Sequence, residues 1–216
     1  MTEVVIASAV RTPIGKYGKA LRDVPAPRLG AIVVRSAIER AGLAPSEVQE
    51  VIMGTAIAAG QGQAPARQAA LLAGVPEDVG AVTVNKVCAS GMKAATIGFD
   101  AIRAGHESIV VAGAMESMSQ APYLVKTARW GAKMGHQEFL DGMVYDGLQD
   151  ALAKIHMGVT GDLVARKYGI TREAQDRYAL ESHTRVVKAH GSGKFRDEIV
   201  PVEVERDGEK ISFDAD

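Results

Sequence analysis

The sequence has a single cysteine, Cys88, and its 25 lysines and arginines almost cancel its 26 aspartates and glutamates, leaving a formal net charge of −1 over 216 residues. One cysteine closes no disulfide within the chain, which fits a reducing compartment and leaves a free thiol to explain. Balanced charge supplies no basic field to attract nucleic acid or anionic lipid. Apolar runs such as SIVVAGAM, Ser108 to Met115, are interrupted too soon to cross a bilayer. The opening residues MTEVVIASAVRT lack the basic start and long apolar stretch of a secretory signal. No internal repeat, low-complexity tract or linker is evident. These exclusions leave a cytoplasmic protein with neither a nucleic-acid nor a membrane partner. What remains is ordinary globular composition, 47% hydrophobic and 24% charged, in a length that suits one or two domains at roughly 150 residues each.

Up to about residue 115 the pattern alternates strand and helix, the signature of parallel strands joined by crossovers. Glu3–Val10 (EVVIASAV) reads as a strand. Residues 26–42 read as a helix, with Leu29, Ile32, Val33, Ala37, Ile38 and Ala41 at helical spacing and Gly42 as a stop. EVIMGTAI (50–57) is a second strand. After the turn AAGQGQ, the segment 64–76 is a helix with proline in its first turn and glycine near its end. AVTVN (81–85) is a third strand, 90–105 a third helix and 108–115 a fourth strand. From Glu116 to Gly147 no period is clean, and long irregular segments in compact domains are more often functional than accidental. A helical region resumes over 158–169. Residues 171–191 read as an amphipathic helix opened by Thr171 and closed near Gly191. At the end, Val202 and Val204 alternate against Ile211 and Phe213 around Asp207-Gly208, a dipeptide favoured in tight hairpins.

The thiol has a bland reading, since free cysteine is among the residue types most often buried and inert. Its place between a strand and a helix weighs against that. The open N–H groups and the macrodipole of a helix start favour a negative sulfur. They can also receive a carbonyl oxygen that becomes anionic when the sulfur attacks it. Lys86 carries little weight, because strand alternation turns it away. Ser90 and Gly91 suit a tight turn with close backbone approach. The following helix is small on nearly every side (Ala89, Ser90, Gly91, Ala94, Ala95, Gly98, Ala101, Ala104), and only Lys93, Asp100 and Arg103 would supply a polar face, so it is expected deep between layers.

VNKVCASGMKA around Cys88, GQGQAPARQAAL before it, and AGAMESMSQAPY and HMGVTGD after it resemble the thiolase family, in particular its biosynthetic acetyl-CoA acetyltransferases. The likeness runs in order from VVIASAVRTPIGKYGK to KFRDEIVPVEV, essentially the whole chain. It implies an α/β, thiolase-like fold: an N-terminal βαβαβαβ half with a mixed sheet and a buried central helix over 1–118, then part of an irregular loop domain over 119–216 that carries the substrate pocket and oligomerisation region. It implies condensation of two acetyl-CoA to acetoacetyl-CoA and CoA, or the reverse, in a homodimer or homotetramer, with no metal or redox cofactor. Cys88 would be the nucleophile that carries the acetyl group as a thioester, and its N–H one oxyanion donor. Leu148, His156 and Met157 would line the pantetheine and acyl pocket. His156 is one of five histidines, and any one of these is more often structural than basic. In HMGVTGD, Gly161-Asp162 stands where the family commonly has Ala-Glu.

The family's activating histidine lies in a Gly-His-Pro stretch and its acid/base cysteine in a Cys-x-Gly-Gly stretch, and neither occurs here. His106 and His136 follow glycines, but Glu107 and Gln137 come next. The resemblance therefore implies the first half of a thiolase, inactive in condensation by itself. Three alternatives stand beside it: a 3-ketoacyl-CoA thiolase of broader chain length, a ketoacyl synthase, which typically lacks the Met-rich ESMSQAPY and HMG segments, and a non-catalytic CoA-binding module.

Overall fold

The structure, a computed structural model, describes residues 3–206 and 208–216. Its centre is a parallel three-stranded sheet in which β1 (Glu50–Gly54) lies between β2 (Gly80–Val84) and β3 (Val110–Ala114). Parallel neighbours need crossover connections, and these are helices. α1 (Ala26–Arg40) precedes β1, α2 (Pro65–Ala73) joins β1 to β2, and α3 (Ser90–Ala104) joins β2 to β3. Proline enters the first turns of α1 and α2, where its missing N–H costs nothing, and Gly74 and Gly105 close α2 and α3 with φ of +92° and +77°, a region their lack of Cβ makes easy.

The two faces of the sheet are covered unequally. Val51 and Met53 on β1 join Val34 and Ile38 of α1 and Ala66, Ala69, Ala70 and Ala73 of α2 in one closed apolar cluster. The opposite face meets α3 through a stripe one helical turn apart, Ser90, Ala94 and Gly98. Close approach there requires small residues. A Cβ on Gly98 would lie 3.0 Å from Val110 Cγ1, and one on Gly91 would lie 3.0 Å from the Ala114 Cβ.

Three expectations need correction. Glu3–Val10 forms no ladder, and Val5 and Ile6 are exposed. A strand exists only with a partner, and at the end of this run Val10, with Arg11 and Thr12, lines a cavity of about 200 Å³ whose wall includes Val111–Glu116 of β3 and the residues after it. The sheet is parallel throughout rather than mixed. The central helix is only half buried, because no element among the described residues covers the outer side of α3, where Met92 is 76% and Phe99 46% exposed.

The excursion after β3 holds little regular structure, as its composition suggests. It contains a two-residue pair, β4 (Tyr123–Leu124) with β5 (Leu140–Asp141), and a π-helical turn, Met143–Leu148. Its tightest point is buried Gly142, whose N–H donates to the Pro122 carbonyl at 3.0 Å, where a Cβ would meet that oxygen at 2.5 Å. α4 (Met157–Lys167) and α5 (Arg172–Gly191) follow. The Thr171 hydroxyl caps α5 by accepting from the Ala174 N–H. α5 buries no residue, so its expected amphipathic side finds nothing to cover among the described residues.

The chain then returns to the first unit. β6 (Val202–Arg206) and β7 (Glu209–Phe213) form the expected hairpin; of its turn pair, Asp207 lies outside the described residues. Val202 is fully buried against Val24 and Leu29. Beside it Arg11 acts as a clasp: its Nε donates to Glu198 at 2.6 Å, its two terminal nitrogens donate to the two oxygens of Asp216 at 2.7 Å, and its guanidinium lies 5.2 Å from the centre of the Phe195 ring. The bond to Asp216 raises the Arg11 pKa and lowers that of Asp216 below the ordinary carboxylate range.

Candidate active site

β1, β2 and β3 end at the same edge of the sheet, the edge at which open α/β sheets hold their ligands. Each of these ends contributes polar groups to one hydrogen-bonded assembly. After β3, the Glu116 carboxylate accepts from the Ala56 N–H at 2.7 Å and from the Thr55 hydroxyl at 3.2 Å, which pins the segment that follows β1. After β2, the Asn85 side-chain amide donates to the Ala56 carbonyl at 3.0 Å and accepts from the Val87 N–H at 2.9 Å. The segment 55–57 thus fixes the turn that leads into α3.

That turn is unusual. Val87 has φ of +51°, a conformation rare for a β-branched residue and costing ~1–3 kcal/mol. Ser90 lies three residues on and is 3% exposed. Its hydroxyl donates to the Val87 carbonyl at 2.6 Å and accepts from the Lys86 N–H at 2.8 Å, while its own N–H donates to the same carbonyl at 3.1 Å. Ser90 is pressed against the end of β1, where a Cβ added to Gly54 would stand 2.5 Å from the Ser90 Cβ and 2.7 Å from its carbonyl carbon.

Cys88 sits at the crest of this turn, two residues before the first residue of α3, with a free and exposed thiol. The sealed, inert cysteine of the bland reading is not what the fold builds. Ala89 occupies the N-cap position and has no side-chain oxygen to cap the first turn, so beyond the Ser90 N–H, which the Val87 carbonyl takes, the start of α3 has no side-chain acceptor in the way of an incoming oxygen.

The three other singled-out residues stand together on the excursion. Gln149 and His156 form an antiparallel bridge, and the Asp150 N–H donates to the Ile155 carbonyl at 2.8 Å, closing a short loop. The bridge sets half-buried Leu148 and exposed Met157 next along its two arms. His156 is exposed and is the N-cap of α4, its Nδ1 accepting from the Gly158 N–H at 3.0 Å. No hydrogen bond among the described residues joins these three to Cys88. The link is indirect: Gly147, beside Leu148, lies on Ile57, its Cβ position 3.3 Å from Ile57 Cδ1, and Ile57 follows the Ala56 that Asn85 holds. A cavity of about 410 Å³, walled by Arg28, Ile57, Gln61 and Ser117 among others, does not include Cys88.

Sequence reasoning passed over Glu116 and Asn85, and noted Ser90 for its size and for the tight turn but not for its hydroxyl. The available signal was position, since Asn85 follows the end of β2 directly and Glu116 lies two residues past the end of β3. Among the described residues no group of three or more His, Cys, Asp or Glu side chains is placed to hold a metal ion, and no helix is long and apolar enough to cross a membrane.

Residues 4–216 match the family model described as "Thiolase, N-terminal domain". The acetyl-CoA acetyltransferase of Cupriavidus necator is 51% identical over 217 aligned positions, which cover 100% of this chain and 55% of that protein. A probable acetyl-CoA acyltransferase of Staphylococcus aureus strain COL is 52% identical over 212 positions, which cover 98% of this chain and 54% of that protein. The chain spans about half the length of the curated relatives it matches.

Proposed function

Because the chain belongs to the thiolase family, we propose that it carries the nucleophilic half of an acetyl-CoA C-acetyltransferase, in which the sulfur of Cys88 takes the acetyl group from acetyl-CoA. The sulfur attacks the thioester carbonyl, the bond to the CoA sulfur breaks, CoA leaves, and the acetyl group remains on Cys88 as a new thioester. Exchange of one thioester for another is nearly balanced, so the intermediate forms without becoming a trap. During attack the carbonyl oxygen takes negative charge. The Cys88 N–H and the first turn of α3 are the donors in this chain that would meet it.

On this reading residues 1–118 supply the nucleophile, and 119–216 supply the wall of the pocket through Leu148, His156 and Met157. This reading assigns the histidine that activates the sulfur and the second acid/base group outside residues 1–216, so within 1–216 Cys88 takes the acetyl group slowly and condensation does not follow. It also makes the whole protein a cytoplasmic homodimer or homotetramer acting on acetyl-CoA and acetoacetyl-CoA without a metal or redox cofactor. The observation that carries the reading is the exposed, free thiol at the entrance to α3.

Acetyl-CoA labelled in its acetyl carbon tests it. The expected result is one acetyl group on the peptide that contains Cys88, none in Cys88→Ala, and negligible acetoacetyl-CoA from residues 1–216 alone. An unlabelled Cys88, or labelling that survives Cys88→Ala, refutes the nucleophile. Acetoacetyl-CoA formed by residues 1–216 at an ordinary enzymatic rate refutes the division of labour.

A further inference from the structure

We infer that Ser90, assisted by Asn85, is a positioning residue for Cys88: the two side chains hold Val87 in its left-handed conformation and so fix the direction in which the thiol leaves the turn. The inference rests on the reading of Cys88 as the nucleophile. A β-branched residue stays at φ of +51° only where its surroundings over-determine it. Here both of its polar backbone groups are held, the N–H by Asn85 and the carbonyl by the Ser90 hydroxyl and N–H. Ser90 adds a third tie by accepting from Lys86 N–H, so its hydroxyl bridges the preceding residue and the carbonyl of Val87. At 3% exposure this hydroxyl does not exchange its partners for water. Gly54 holds the side chain in place from below, with no room for a Cβ of its own. The side chain of Val87 is itself 47% exposed, so packing does not account for the strain.

Such a clamp matters unequally to two reactions of the same sulfur. Transfer from acetyl-CoA requires the sulfur and the oxyanion donors to meet one carbonyl group at once, so it is sensitive to aim. Alkylation by iodoacetamide in solution needs only an accessible thiolate.

In the purified protein, Ser90→Ala is expected to lower the rate of Cys88 acetylation at least tenfold, and the rate of iodoacetamide alkylation less than threefold, with circular dichroism unchanged. Adding Val87→Gly, which makes left-handed backbone available without strain, is expected to restore a measurable part of the acetylation rate. Asn85→Ala, at an exposed position, serves if Ser90→Ala does not fold, with the same split between the two rates. Three outcomes overturn the inference: acetylation unchanged in both single variants, both rates falling equally, or no restoration by Val87→Gly. If the unsubstituted protein takes no acetyl group on Cys88, it is the nucleophile reading that fails, and the two failures are distinct.

Discussion

Substituting alanine for glycine at two positions should move stability in opposite directions. At Gly54, the last residue of the central strand, the new Cβ would lie 2.5 Å from the Ser90 Cβ, 2.7 Å from its carbonyl carbon and 2.9 Å from its carbonyl oxygen. Two of these atoms are backbone, so no rotamer change relieves the overlap, and α3 must lift from the sheet or the strand must shift. Overpacking of this kind costs ~1–3 kcal/mol. At Gly161, inside α4, nothing lies within 4 Å of the added methyl, and replacing a helical glycine by alanine gains ~0.5–1 kcal/mol. Thermal unfolding followed by circular dichroism reads both, at roughly 2–4 °C per kcal/mol for a chain of this size. Gly54→Ala should melt several degrees lower and Gly161→Ala slightly higher. Gly54→Ala should also slow acetyl transfer to Cys88, because the atoms it displaces belong to the turn that carries the thiol. Equal melting of Gly54→Ala and the unsubstituted protein would refute the claim that the sheet and the turn are in hard contact.

Other perturbations test other parts of the fold. The Asp216 carboxyl is held below its usual range chiefly by its bond to Arg11. Its stabilising contribution is therefore complete above the ordinary carboxylate value, near pH ~4, and is lost as pH falls through the lowered value. Asp216→Asn should weaken the protein at neutral pH in urea titrations, and the difference should close in strong acid. Glu50 behaves oppositely: burial, with help from the charge of Glu107, raises its pKa, so folding disfavours the ionised form and stability declines as pH rises through the raised value. Glu50→Gln should be the more stable form above that value, by less than ~1 kcal/mol, and the gain should vanish below it. Finally, the bare outer side of α3, with exposed Met92 and Phe99, should make residues 1–216 self-associate. Light scattering should show oligomers that Phe99→Glu reduces, and a monodisperse monomer would contradict this.

The three helices and three strands of the parallel unit were legible because crossovers bury both faces of a sheet, and burial writes a period into the sequence. Glu3–Val10 misled for the same reason turned round: its residues suit a strand, but pairing is a property of two segments, and this run forms no ladder. The segment 116–147 was unreadable because contacts such as Gly142 to Pro122 organise it rather than any repeat. Of the candidate site, Cys88 stood out from its place at a strand-to-helix junction. Leu148, His156 and Met157 came from family likeness alone, their spacing having no local meaning. Glu116 and Asn85 act on residues 60 and 29 positions away, a distance at which no local pattern points from one to the other.

The strain at Val87 has a practical corollary for anyone engineering this protein. Its side chain is about half exposed, so glycine there forfeits only part of a side chain's packing and removes the cost of the left-handed backbone. Laboratory evolution that rewards heat resistance alone would favour that exchange while loosening the sulfur's orientation. Libraries at residue 87 should therefore be ranked by acyl-transfer rate as well as by melting point.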